Sequence, residues 1–127
     1  MRGKRILVVD DEAMVLESVR MTLAFYGYRV ETAPNAAEAL SKLDSGRFDL
    51  LVTDGRMQGM QGDELAAETK RRWPAMPVVL LTGYPPDIKP AAVNLVLLKP
   101  FSMAELRRVI DELTGGLPDG APPAPGD

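Results

Sequence analysis

The chain has 127 residues, 46% of them hydrophobic, and a formal net charge of -3 at pH 7. That length supports one domain with a proper core and is too short for two comfortable ones. Neither cysteine nor histidine occurs, which excludes a disulfide framework and any thiolate or imidazole metal site, so a bound metal must take oxygen ligands.

The first five residues, Met1 to Arg5, are basic, but the apolar run behind them, Ile6 to Val9, lasts four residues before Asp10 and Asp11. A signal peptide needs a longer apolar core and a membrane span about 20 apolar residues. The expectation is a cytoplasmic protein with no membrane association. Net negative charge argues against nucleic acid as a direct partner; Lys70, Arg71 and Arg72 are the place where a local basic patch could form.

Apolar runs of strand length alternate with segments of helical period, the pattern of βα units around a parallel sheet. The first strand is expected from Arg5 to Asp10. Asp11 then caps a helix in which Val15, Val19, Leu23 and Tyr26, widened by Leu16, form the buried stripe, and Gly27 supplies the stop. Tyr28 to Ala33 alternates as a second strand. Asn35 caps a helix through Ala39, Leu40 and Leu43 that ends at Gly46.

A third strand, Phe48 to Thr53, leads through Asp54 into a Gly-rich stretch from Gly55 to Gly62. A third helix over Asp63 to Trp73 stops before Pro74, and a fourth strand covers Pro77 to Leu81. The next crossover is unusual, because Pro85, Pro86 and Pro90 leave room for at most one helical turn, from Pro90 to Val93. The fifth strand, Asn94 to Leu98, is followed by Lys99 and Pro100. Ser102 and Glu105 then form a capping box for a last helix, whose buried stripe is Leu106, Val109, Ile110 and Leu113. From Gly115 to Asp127, eight of thirteen residues are Gly or Pro, which reads as a disordered tail or linker. The folded domain is thus expected over 4–114 and the tail over 115–127.

Four of these strands end on a polar residue suited to phosphoryl chemistry. Asp10 with Asp11, then Asp54, Thr82 and Lys99 gather in one crevice if the strands are parallel neighbours, because such sheets bind ligands outside their carboxyl ends. Three carboxylates in a poorly solvated cleft repel one another, which raises pKa values or demands a cation. An all-oxygen site of one or two carboxylates beside a phosphate suits Mg2+, with Mn2+ as a substitute. A carboxylate beside such an ion can act as nucleophile toward phosphorus. Asp54 is the best placed, at the end of an apolar strand and the start of a flexible loop. Lys99 offers a positive charge and Thr82 a hydroxyl.

Each residue taken singly has a plainer role. Asp11 serves equally as a helix cap, Thr82 as a turn residue and Lys99 as a solvated charge. Glu12, Asp63, Glu64 and Glu68 read as helix-start and surface charges, and Trp73 and Phe101 as packing residues. The joint occurrence at four strand ends is what favours a site.

The arrangement closely resembles the receiver domain of two-component response regulators, related to chemotaxis-type single-domain receivers. The resemblance rests on the acidic pair in Val8-Val9-Asp10-Asp11-Glu12, on Asp54 with the segment through Gly62, on Leu81-Thr82-Gly83-Tyr84 and on Lys99-Pro100-Phe101, and spans about Lys4 to Leu113. It implies a doubly wound, flavodoxin-like α/β fold with a five-stranded parallel sheet of order 2-1-3-4-5, here with a short or missing fourth helix.

The resemblance also implies roles. Asp54 accepts a phosphoryl group from a histidine on a sensor kinase or phosphotransfer protein. Asp11 binds Mg2+ directly, Asp10 through water, and the backbone carbonyl of Arg56 completes the protein ligands. Lys99 holds a phosphoryl oxygen and precedes Pro100, a peptide bond usually cis in receivers. Thr82 bonds the phosphoryl group and biases the domain between two states. Arg56 and Tyr84 flank the pocket and set the lifetime of the aspartyl phosphate. Catalysis is then confined to the chain's own phosphorylation and dephosphorylation, so the protein is not an enzyme acting on separate substrates.

Three departures stand out. Val96 occupies a switch position that is often aromatic, and Gln58 replaces a common proline. Seventeen positions separate Thr82 from Lys99 (99 minus 82), a short interval that holds the proline-broken crossover. The expected consequence is intact phosphorylation chemistry with a readout that does not use the conventional face of fourth helix, fifth strand and last helix. The competing reading is a receiver-like interaction module that is never phosphorylated. A phosphohydrolase would want an Asp-x-Asp pair, and position 56 holds Arg.

Overall fold

A computed structural model describes residues 4–84 and 90–115. The elements run β1 (Arg5–Val9), α1 (Ala13–Phe25), β2 (Arg29–Ala33), α2 (Ala36–Ser45), β3 (Leu50–Asp54), α3 (Gly62–Arg72), β4 (Val78–Thr82), β5 (Leu95–Leu98) and α4 (Met103–Thr114). The strands form one parallel sheet in the order β2-β1-β3-β4-β5.

Helices cover both faces of the sheet, and the alternation of side chains along each strand divides the core accordingly. Leu7, Val9, Leu51, Val78 and Leu80 pack with α2 and α3 through Ala39, Leu43, Leu65 and Ala66. Ile6, Val8, Leu50, Val52, Val79 and Leu81 pack with α1 and α4 through Leu16, Val19, Leu23, Leu106 and Ile110. Strands buried on both faces have to be apolar throughout, which is why the central ones read as unbroken runs.

Most strand boundaries lie one or two residues from those expected. Asp10 falls just outside β1, whereas Asp54 and Thr82 are the last residues of β3 and β4. Both remain in the ladder because it continues past them: the Gly55 N–H donates to the Leu81 carbonyl at 2.8 Å and the Lys99 N–H to the Thr82 carbonyl at 2.8 Å. The expected cap of α1 is corrected. Glu12, not Asp11, stands at the N-cap, and its side chain makes no capping bond. Gly27 has φ 96° and lets the chain turn from α1 into β2. Asn35 and Ser102 cap α2 and α4, accepting from the N–H groups of Glu38 at 2.8 Å and Glu105 at 3.0 Å.

No helix occurs between β4 and β5 among the described residues; 85–89, and with them Pro85 and Pro86, lie outside that description. Residues 90–93 form a single turn closed by the Val93 N–H on the Pro90 carbonyl at 3.0 Å. Val93 is buried against Val78 and Leu80, with Ala92 and Val96 beside it. Of the tail expected over 115–127, Gly115 is the C-cap of α4 and residues 116–127 lie outside the described residues; among those described no helix is long and apolar enough to cross a membrane.

Two buried features of α4 had no sequence signal. Arg107 is fully buried, its guanidinium carbon 4.1 Å from the centre of the Tyr26 ring. Tyr28 donates its hydroxyl to Asp111. Burial, then that hydrogen bond, pushes the Tyr28 pKa well above the usual phenol range.

The basic residues of α3 do not form a free patch. Lys70 donates to Asn94 Oδ1 at 2.6 Å, and Arg71 and Arg72 both bond Glu68, at 2.5 and 2.7 Å. Those two hydrogen bonds lower the Glu68 pKa to about 2.

Candidate functional site

The site lies at the carboxyl ends of β1, β3, β4 and β5. One oxygen each from Asp10, Asp11 and Asp54 lies within 4.8 Å of the others, with Asp10 and Asp54 buried and Asp11 exposed. Asp10 follows the end of β1, and its Oδ1 accepts from the Glu12 N–H at 2.9 Å. Asp11, released from capping, instead accepts on Oδ2 from the Gln58 N–H at 3.3 Å. Lys99 reaches back from the end of β5 and places Nζ 2.5 Å from Asp54 Oδ1. The Lys99–Pro100 peptide bond is cis.

The electrostatics follow from this crowding. Burial raises the Asp10 pKa; the Glu12 N–H and the Lys99 charge oppose the rise, and the Asp54 and Asp11 charges add to it. Burial alone would lower the Lys99 pKa. The hydrogen bond and charge of Asp54, followed by the charges of Asp10 and Glu12, outweigh it, so the ammonium ends above its ordinary value. Asp54 and Asp10 share one lysine. The donor set suits a hard divalent cation beside an oxyanion, since the oxygens converge and the chain has no nitrogen or sulfur ligand from His or Cys.

Thr82 is buried, and its hydroxyl closes a small turn, donating to the Tyr84 carbonyl and accepting from the Tyr84 N–H, both at 3.1 Å. Arg56 and Tyr84 face each other across the mouth of the site, the guanidinium carbon 4.5 Å from the ring centre. A cleft of about 250 Å³ runs beside them, lined by Gly55, Thr82, Asp63 and Pro90 among others. Val96 packs on the α2–α3 side of the core.

Sequence reasoning missed the part played by Gln61. Its Nε2 donates to the Met57 carbonyl at 2.8 Å, and its Oε1 accepts from the Met57 N–H at 3.3 Å, closing the 57–61 loop. Its own N–H donates to Glu64 Oε1 at 2.9 Å. A Gln three residues before a Glu at a helix start is the signal that could have flagged it.

Fold and site define a doubly wound α/β module whose polar groups converge at the ends of the central strands. The family model described as "Response regulator receiver domain" matches residues 6–111, and the chain belongs to that family. The transcriptional regulatory protein GlrR of Escherichia coli (strain K12) is 38% identical over 112 residues, which are 84% of this chain and 25% of GlrR. The chain therefore spans about a quarter of that relative's length. Response regulator TrrA of Thermotoga maritima, solved in complex with Mg2+-BeF, is 37% identical with a TM-score of 0.81, covering 87% of this chain and 98% of TrrA. TrrA in complex with the histidine kinase ThkA aligns at 36% identity and a TM-score of 0.79, covering 87% of this chain and 97% of that one.

Proposed function

We propose that this chain is a phosphorylation-dependent signalling receiver that accepts a phosphoryl group on Asp54 from a histidine of a sensor kinase or phosphotransfer protein in the cytoplasm. The observation that carries the reading is the convergence of three carboxylates within 4.8 Å, with Lys99 on Asp54. An Asp54 oxygen attacks phosphorus as the phosphorus–nitrogen bond of the donor breaks, and the imidazole leaves with the electron pair and takes up a proton. Lys99 follows the phosphoryl oxygens, on which charge is dispersed in the transition state. Asp10, Asp11, Asp54 and the Arg56 carbonyl would hold Mg2+, which when bound neutralises charge on the phosphoryl oxygens. Mn2+ would serve in its place.

Thr82 is the switch. Its hydroxyl has to leave the Tyr84 backbone to bond a phosphoryl oxygen, which couples the 82–84 turn to phosphorylation. Arg56 and Tyr84 would govern access to the acyl phosphate. Readout at an altered surface is supported by Val96 and by the single turn that stands before β5.

Intact mass after treatment with acetyl phosphate or phosphoramidate and Mg2+ tests the reading. It predicts one phosphoryl adduct in the wild type, lost on chelation and in Asp54→Asn. No adduct in the wild type would favour the unphosphorylated interaction module instead, a reading supported by the engagement of Thr82 with Tyr84.

A further inference from the structure

The β3–α3 loop carries a chain of hydrogen bonds that the phosphoryl chemistry leaves unused. Gln61 Nε2 holds the Met57 carbonyl at 2.8 Å. That carbonyl and the Gln58 N–H belong to one rigid planar peptide unit, within which they point in opposite directions. The far end of the plane, the Gln58 N–H, donates to Asp11 Oδ2 at 3.3 Å. A side-chain amide in the loop is thereby linked, through one peptide unit, to a carboxylate at the mouth of the site.

Local sequence fixes the plane at several points. At the base of the loop the Gly62 N–H donates to the Gly55 carbonyl at 3.0 Å. A Cβ at Gly62 would lie 2.2 Å from the Asp54 carbonyl oxygen, so the base closes with glycine there. Gly59, with φ 79°, turns the chain immediately after the donor. The Gln61 N–H on Glu64 ties the other end to the first turn of α3. Asp11 is exposed on the short link between β1 and α1, where an unsupported carboxylate would sample several rotamers.

We propose that Gln61 is a positioning residue for cation binding: acting through the Met57–Gln58 peptide, it presents the Asp11 carboxylate with one oxygen held and the other left for Mg2+. The proposal rests on the reading of Asp10, Asp11 and Asp54 as the Mg2+ site. Hydrogen bonds to a ligating carboxylate fix its orientation, and losing one commonly costs about 10-fold or more in metal affinity. The contribution of Gln58 is its backbone N–H, which alanine retains and proline deletes.

Calorimetric titration of Mg2+ into the wild-type chain and into Gln58→Ala, Gln58→Pro and Gln61→Met tests this, together with amide hydrogen exchange at Gln58. Gln58→Pro is expected to bind Mg2+ about 10-fold more weakly than Gln58→Ala, with Gln61→Met weakened in the same direction. The Gln58 amide should exchange slowly in the wild type and lose that protection in Asp11→Ala and in Gln61→Met. Affinities of the proline and alanine variants within about twofold of each other would overturn the proposal. So would a Gln58 amide that exchanges equally fast in the wild type and Asp11→Ala, a comparison that decides alone if the proline variant fails to fold. A wild-type chain that binds no Mg2+ removes the metal-site reading and the proposal together, whereas wild-type binding with unaffected variants removes the proposal alone.

Discussion

Asp10 is 2% exposed and faces the charges of Asp54 and Asp11 with one shared lysine to offset them. Because burial and like charge raise its folded pKa above the unfolded value, the folded state binds the proton more tightly than the unfolded one. The resulting penalty is absent below the unfolded pKa and develops as pH rises through the folded one. Without divalent cation, Asp10→Asn should therefore stabilise the domain at pH 7, by roughly 1 kcal/mol. The gain should shrink as pH falls into the carboxylate range. Urea unfolding in chelator at pH 7 and pH 4.5 checks this, and a variant less stable than the wild type at pH 7 would contradict it. Lys99 is the counterweight, held at the end of β5 by its backbone bond to Thr82 and reaching Asp54 with its ammonium.

At the scale of elements, the crossover from β4 to β5 is the one that shows no helix among the described residues. The single turn at 90–93 buries Val93, and among the described residues no helix stands between Thr82 and β5. A change at Thr82 should accordingly spread through the 82–84 turn and the 55–62 loop. Amide spectra of the free and beryllofluoride-bound chain should show their largest shifts there, and largest shifts in β5 and α4 would contradict the proposed altered readout. The elements themselves were legible. Strands covered on both faces must be apolar at every position, and Asn35 and Ser102 announce their helices by side-chain chemistry. The loop after Asp54 was not, because its order comes from scattered local bonds, among them one amide bonding the backbone four residues earlier, which leave no periodicity. The acidic pair after β1 was half legible: two adjacent aspartates mark the site, but sequence could not tell whether Asp11 would cap α1 or turn toward Gln58.

On the scale of the molecule, contacts between distant parts of the chain were the least legible. Tyr28 meets Asp111 across 83 positions, and Arg107 is buried against Tyr26, although a lone arginine on a helix ordinarily reads as a surface charge. The crevice was readable because parallel topology makes strand ends neighbours whatever their separation in sequence. Side-chain chemistry at those ends then supports one central claim, that Asp54 is the residue that takes the phosphoryl group. Borohydride reduction of the phosphoramidate-treated chain, followed by peptide mass mapping, tests that claim most directly, because it converts an aspartyl phosphate into homoserine where it formed. Homoserine at position 54 is the predicted result; homoserine at position 10 or 11, or at no position in a chain that carries the phosphoryl adduct, would contradict it.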